Sequence, residues 1–140
     1  MAEADTLELA QAGDRIDGKD LQESIDRLLA LEAGMNELKP KATTMSELDE
    51  IGAAQQNLRS TAFGLVDKQI ELIVGRAKVT ADHINAATEA AQAKIVKIAE
   101  VRKQLETVGI LLDFFATVLT GNGEKIVEAA FALKDQLDTV

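Results

Sequence analysis

The chain has 140 residues, 46% of them hydrophobic, with 15 Lys and Arg against 24 Asp and Glu for a net charge of −9. That is one domain's worth of chain with enough apolar content to bury a real core. Cys, Trp and Tyr are absent and the single histidine is His83, which excludes disulfides, zinc–thiolate and iron–sulfur centres, cysteine nucleophiles and any site built on two histidines; the acidic balance argues against nucleic acid, whose phosphates require clustered Lys and Arg.

The first 17 residues are acidic and weakly patterned, and read as an N-terminal arm preceding one helical domain over 18–140. The arm has no basic n-region and no apolar h-region, so it is not a Sec signal peptide. The longest nearly uncharged stretch, 107–120, is interrupted by Asp113 and falls short of the roughly 20 apolar residues a membrane span needs. These features predict a cytoplasmic protein.

The first predicted helix runs over 19–38, on the helical spacing of Leu21, Ile25, Leu28, Leu31, Met35 and Leu38. Pro40 is expected to stop it. Thr44 followed by Glu47 fits a capping box and opens a second helix, in which Met45, Leu48, Ile51, Gln55, Leu58, Ala62, Leu65, Gln69 and Leu72 recur in steps of three and four. A second apolar line follows Phe63, Val66, Ile70, Ile73 and Ala77. Gly52 and Gly64 each cost about 1 kcal/mol against Ala inside a helix, and read as marks of close helix contact. Gly75, Thr80 and Asp82 predict a turn within 75–80, the alternative being one unbroken helix over 44–119. The third predicted helix spans 81–119, alanine-rich in its first half and apolar nearly all round in its second. A break at Gly121, Asn122 and Gly123 leads to a fourth helix over 124–138. No strand pattern is evident.

The expected fold is therefore all-α: an antiparallel bundle built on a long hairpin of helices two and three, with the two shorter helices packed at one end. That base should hold Leu28, Leu31, Met35, Leu48, Leu58, Leu112, Phe115, Ile126 and Phe131. Residues Phe63 to Ile98 should form a two-helix projection with 75–80 at its tip. Two helices alone can cover only one seam on each other, so one apolar line of the projection should be left exposed, and large exposed apolar patches mark association sites. Leu65, Leu72, Val79 and Ile84 are the candidate partner-binding residues.

Chemistry has little to work with. His83 beside Asp82 would need a nucleophile within reach, and Thr80 and Thr88 are the only hydroxyls nearby, so it reads as a solvent-facing tip residue. Carboxylate metal sites in bundles use Glu-x-x-His twice, which this chain lacks. Residues 120–125 lack the phosphate-loop spacing and a preceding strand. Lys94, Lys97, Arg102 and Lys103 make a modest basic stripe facing Glu100 and Glu106, of the kind that forms ordinary helix-surface pairs. No catalytic, cofactor or metal site is expected, and no small-molecule substrate. The reading is a non-enzymatic helical bundle acting by helix–helix contact with a protein partner or with itself, as an adaptor, an inhibitor or immunity-type partner, a chaperone or an assembly subunit. The alternative is a membrane-active helical protein that exposes its apolar 107–120 segment on insertion.

Overall fold

A computed structural model describes residues 15–72 and 76–139 of the chain. It opens with a short strand, β1 (Arg15–Asp17), whose middle residue Ile16 is buried between two polar neighbours. Three residues assigned to the acidic arm thus belong to the fold; the rest of that arm lies outside the described residues. After β1 the chain turns sharply. The Asp17 carboxylate accepts from the N–H groups of Lys19 and Asp20, and Asp20 returns the bond to the N–H of Asp17. Gly18 sits in this turn because a β-carbon there would collide with the carbonyl oxygens of Val66 and Leu65. Helix α1 (Gln22–Gly34) follows and buries Ser24, Ile25, Leu28 and Leu31. It tightens into a 3₁₀ segment, Met35–Lys41, that contains Pro40, so the regular helix ends well before the proline expected to stop it.

Helix α2 (Met45–Val66) begins as the sequence predicts. Thr44 Oγ1 accepts from the N–H of Glu47 at 3.0 Å, and the Glu47 carboxylate reaches back to the N–H of Thr43 at 3.0 Å. The far end differs from expectation. The helix stops at Val66 and the chain enters strand β2 (Gln69–Glu71), which pairs antiparallel with β1, Arg15 opposite Glu71 and Asp17 opposite Gln69. Ile16 and Ile70 face each other and are both buried. Alternation over three residues is too short to stand out as a strand signal; the pairing exists because each segment supplies the other's backbone hydrogen bonds. Of the turn expected within 75–80, Gly75 lies outside the described residues, as does Ile73; Arg76 is the N-cap of the next helix and the residues from Ala77 to Thr80 are already its first turn.

The predicted third helix forms two. Helix α3 (Ala77–Ile95) and helix α4 (Val101–Val118) are separated by five residues with neither Gly nor Pro. The buried side chain of Gln104 makes this break hold: its Nε2 donates to the carbonyls of Ile95 at 2.9 Å and Ile98 at 3.0 Å. Ile95, the last residue of α3, also accepts from the N–H of Ile98, and Ile98 lies in the linker, so Gln104 ties the helix end and the bend to α4. Four β-branched residues, Ile95, Val96, Ile98 and Val101, lower helix propensity through the same stretch. Gly121, at φ 76° and pressed against the Glu71 carbonyl, turns the chain out of α4. Helix α5 (Gly123–Asp138) then starts from Asn122, whose side chain accepts from the N–H of Lys125.

Contacts fix the helix directions. Asp20, Ser24 and Arg27 bond to Asn85, Thr88 or Asn85, and Gln92 in turn, so α1 and α3 run parallel. Glu32 reaches Arg59 while Gly18 abuts Val66, so α1 and α2 are antiparallel. The helices close a ring of neighbours, α1–α2–α4–α5–α3, with α3 touching α4 across it. Ala87 and Ala91 are fully buried on α3; their small side chains let α1 and α5 approach from both sides. Among the described residues no two-helix projection is present: the segment expected to project is divided by β2, and α3 packs against α1 and α5 within the ring. Of the expected base residues, Leu28, Leu31, Met35, Leu58, Phe115 and Ile126 are buried, and Leu48 and Leu112 partly so. Phe131 is 55% exposed, its ring edge-on to His83 at 5.5 Å. Gly52 and Gly64 face open space and mark no close helix contact.

Candidate functional site

The four candidate contact residues do not form one exposed line. Leu65, Leu72 and Ile84 are buried, and Val79 alone is at the surface, 42% exposed. The physical reason is the division of the long hairpin. Once α3 lies inside the ring, Ile84 faces its neighbours, and once β2 pairs with β1, Leu72 follows Ile70 inward. The apolar seam left open to solvent lies elsewhere, between α2 and α4.

On α4, Leu105, Leu112 and Leu119 repeat every seven residues and stand beside the buried line of Val101, Val108 and Phe115. Leu105 and Leu112 are partly buried and Leu119 is 50% exposed. Facing them, α2 presents Ala53, Ala54, Asn57, Ser60, Thr61 and Gly64. Short side chains on one wall and long ones on the other leave a groove. It holds two hollows, of about 380 Å³ and about 280 Å³, that share Leu112. Leu65 forms part of the floor of the first, so one expected contact residue does reach this site. The seam follows α2 from Glu50 to Leu65, about 22 Å at 1.5 Å per residue, and ends at Lys68 just beyond the helix.

Charge marks the two ends. At one, Arg102 makes two bonds to the Glu50 carboxylate, at 2.7 and 3.1 Å. This fork pins α4 to α2. Hydrogen bonding from Arg102 lowers the pKa of the Glu50 carboxyl below its ordinary value and raises that of the guanidinium in return. At the other end Lys68 stands at the rim without an ion-pair partner among the described residues.

The remaining chemical candidates are placed as follows. His83 is half-buried on α3 against Phe131 rather than at a tip. Thr80 and Thr88 are buried, and Thr88 donates to the Ile84 carbonyl and accepts from Ser24 in the polar seam between α1 and α3. Asp113 is exposed. Among the described residues no group of three or more His, Cys, Asp and Glu could hold a metal ion. Nor is any helix among them long and apolar enough to cross a membrane; the apolar 107–120 segment is mostly α4, with Thr107, Val108, Leu111, Phe114, Phe115 and Val118 buried. The groove was legible in part, since the leucine heptad is in the sequence. Its small-residue wall reads as an ordinary polar helix face until α4 is laid beside it. The chain matches no protein-family model, no curated protein and no solved structure.

Proposed function

We propose that this protein is a non-enzymatic helical bundle that binds a protein partner, taking an amphipathic helix of that partner into the α2/α4 groove. The role is that of an adaptor, inhibitor, chaperone or assembly subunit, carried out in the cytoplasm. The observation behind it is the heptad-spaced line Leu105, Leu112 and Leu119 left partly open beside a wall of short side chains. A helix with its own apolar residues at spacings of three and four fits such a seam, and burying the leucine line against it supplies the driving force. Lys68 at one rim favours an acidic residue at the matching end of the partner helix.

The chain contains no cysteine, so a single introduced thiol can carry a photo-crosslinker at one known place. Ala116→Cys places it in the groove, and Gln56→Cys places it on an exposed position of α2 away from the groove. The reading expects a defined protein adduct from the Ala116 position that Leu112→Glu or Leu119→Glu abolishes. The same adducts from both positions, or none from the groove, would refute it.

A further inference from the structure

We propose a second binding surface at the α3–α4 corner of the bundle, which takes an acidic peptide segment with interspersed aliphatic side chains. The inference does not rest on the α2/α4 groove. Breaking the predicted long helix at residues 96–100 changes what its basic stripe does. Lys94, Lys97 and Lys103 come to line one hollow of about 570 Å³ around the bend. Lys94 and Lys97 also border a second hollow, of about 470 Å³, to which α5 adds Lys134 and Leu137 and α3 adds alanines. Four cations, three on helices and Lys97 in the linker, thus flank two adjoining concavities in a chain whose net charge is −9.

None of these lysines has an ion-pair or hydrogen-bond partner for its side chain among the described residues. The expected pair of Glu100 with Lys103 is not formed, although Glu100 and Asp138 stand at the margins of the hollows. The first turn of α4 has no acidic residue, although Glu100 is its N-cap; of its two cations Arg102 is held by Glu50, which leaves Lys103 where the helix dipole already places positive charge. Four lysines against Glu100 and Asp138 leave the corner with an excess of positive charge that no ion pair among the described residues neutralises. Ile98 in the first hollow and Leu137 in the second supply apolar contact points among the lysines. Carboxylates meeting the lysines, with an aliphatic side chain on Ile98 or Leu137, satisfy both features. An extended acidic segment reaches both hollows in a way that an isolated small anion does not. No aromatic side chain lies among the lining residues to anchor the surface in lipid or to stack on bases.

The probe is a synthetic dodecapeptide of glutamate with interspersed leucine, titrated into the full chain by fluorescence anisotropy. Its counterpart, with every glutamate replaced by glutamine, is the control. The proposal expects binding by the acidic peptide that weakens with added salt and no comparable binding by the neutral one. Lys97→Gln with Lys103→Gln should weaken it about fivefold to tenfold, equivalent to roughly 1 kcal/mol or slightly more, with the thermal midpoint unchanged because neither lysine is paired. Lys19→Gln with Lys125→Gln removes the same charge elsewhere and should leave the affinity within about twofold, less than 0.5 kcal/mol. Equal binding of both peptides, equal loss from both double variants, or no binding by the acidic peptide would overturn the proposal. Co-flotation with vesicles of phosphatidylserine and phosphatidylcholine, without peptide binding, would overturn it in favour of a lipid-facing corner.

Discussion

Replacing Gln104 by Met tests why α3 and α4 are two helices. Methionine keeps the length of the side chain and its packing but removes both hydrogen bonds, to the carbonyls of Ile95 and Ile98. Each such bond contributes about 0.5–1.5 kcal/mol net, so the substitution should cost about 1–3 kcal/mol. With no Trp or Tyr in the chain, unfolding is best followed in urea by far-ultraviolet circular dichroism. At a slope of about 1–3 kcal/mol/M, the midpoint should fall by roughly 1 M. Gln104→Glu adds a test with a definite sign. A carboxylate facing two carbonyl oxygens is disfavoured, so its folded pKa is raised above the unfolded value of about 4.3. Below the unfolded pKa both states hold the proton and the variant is nearly as stable as at its best. As the pH rises above about 4.3 the unfolded state releases the proton first and the penalty grows, levelling off beyond the folded pKa. The stability gap between Gln104→Glu and the parent must therefore widen from acid to neutral pH. A cost for Gln104→Met below about 0.5 kcal/mol, within what ordinary surface changes produce, would refute the account of the break.

Gly18→Ala should destabilise by about 1–3 kcal/mol, as overpacking does, because its β-carbon meets backbone carbonyls that cannot move aside. Gly52→Ala, facing open space in α2, should stabilise by about 0.5–1 kcal/mol; thermal midpoints of the two variants should move in opposite directions. Phe115→Ala should cost about 3–5 kcal/mol, and Leu112→Ala, partly exposed in the groove, distinctly less; equal losses by urea titration would mean that the groove is closed in solution. Arg102→Gln should let the Glu50 carboxyl titrate at a higher pH, as followed by carbon NMR. Because the folded pKa of Glu50 is depressed, the contribution of this pair is present above the unfolded pKa and is lost as the pH falls through the folded one.

Several features were legible from residues close together in the chain. Although the Glu47 carboxylate reaches back to Thr43 rather than to Thr44 itself, the cap of Thr44 on the Glu47 N–H needs only neighbours three residues apart, and it forms. So do the helical spacing of Leu21 to Leu31 and the break at Gly121. The all-helical character of most of the chain follows from the same local periodicity. The leucine heptad on α4 was visible too, although nothing local says which side of it stays open.

What the tertiary structure decided is where long periodic runs are cut and which faces meet. The run over 81–119 has no Gly or Pro at 96–100, and its division depends on a side chain from the next helix bonding back to the carbonyl of the last residue of α3 and to one in the linker. The strands β1 and β2 are three residues each and more than fifty residues apart in the chain; neither has a partner until the bundle brings them together. That pairing carries Leu72 inward, and the ring closure buries Leu65 and Ile84, so the apolar line expected on a projection became core while the α2/α4 seam stayed open. Periodicity specifies that a face is apolar. It does not specify its neighbour, because the hydrophobic effect is non-directional and is satisfied by whichever surface arrives; only connectivity, caps and close approaches such as Gly18 against Val66 select among the alternatives.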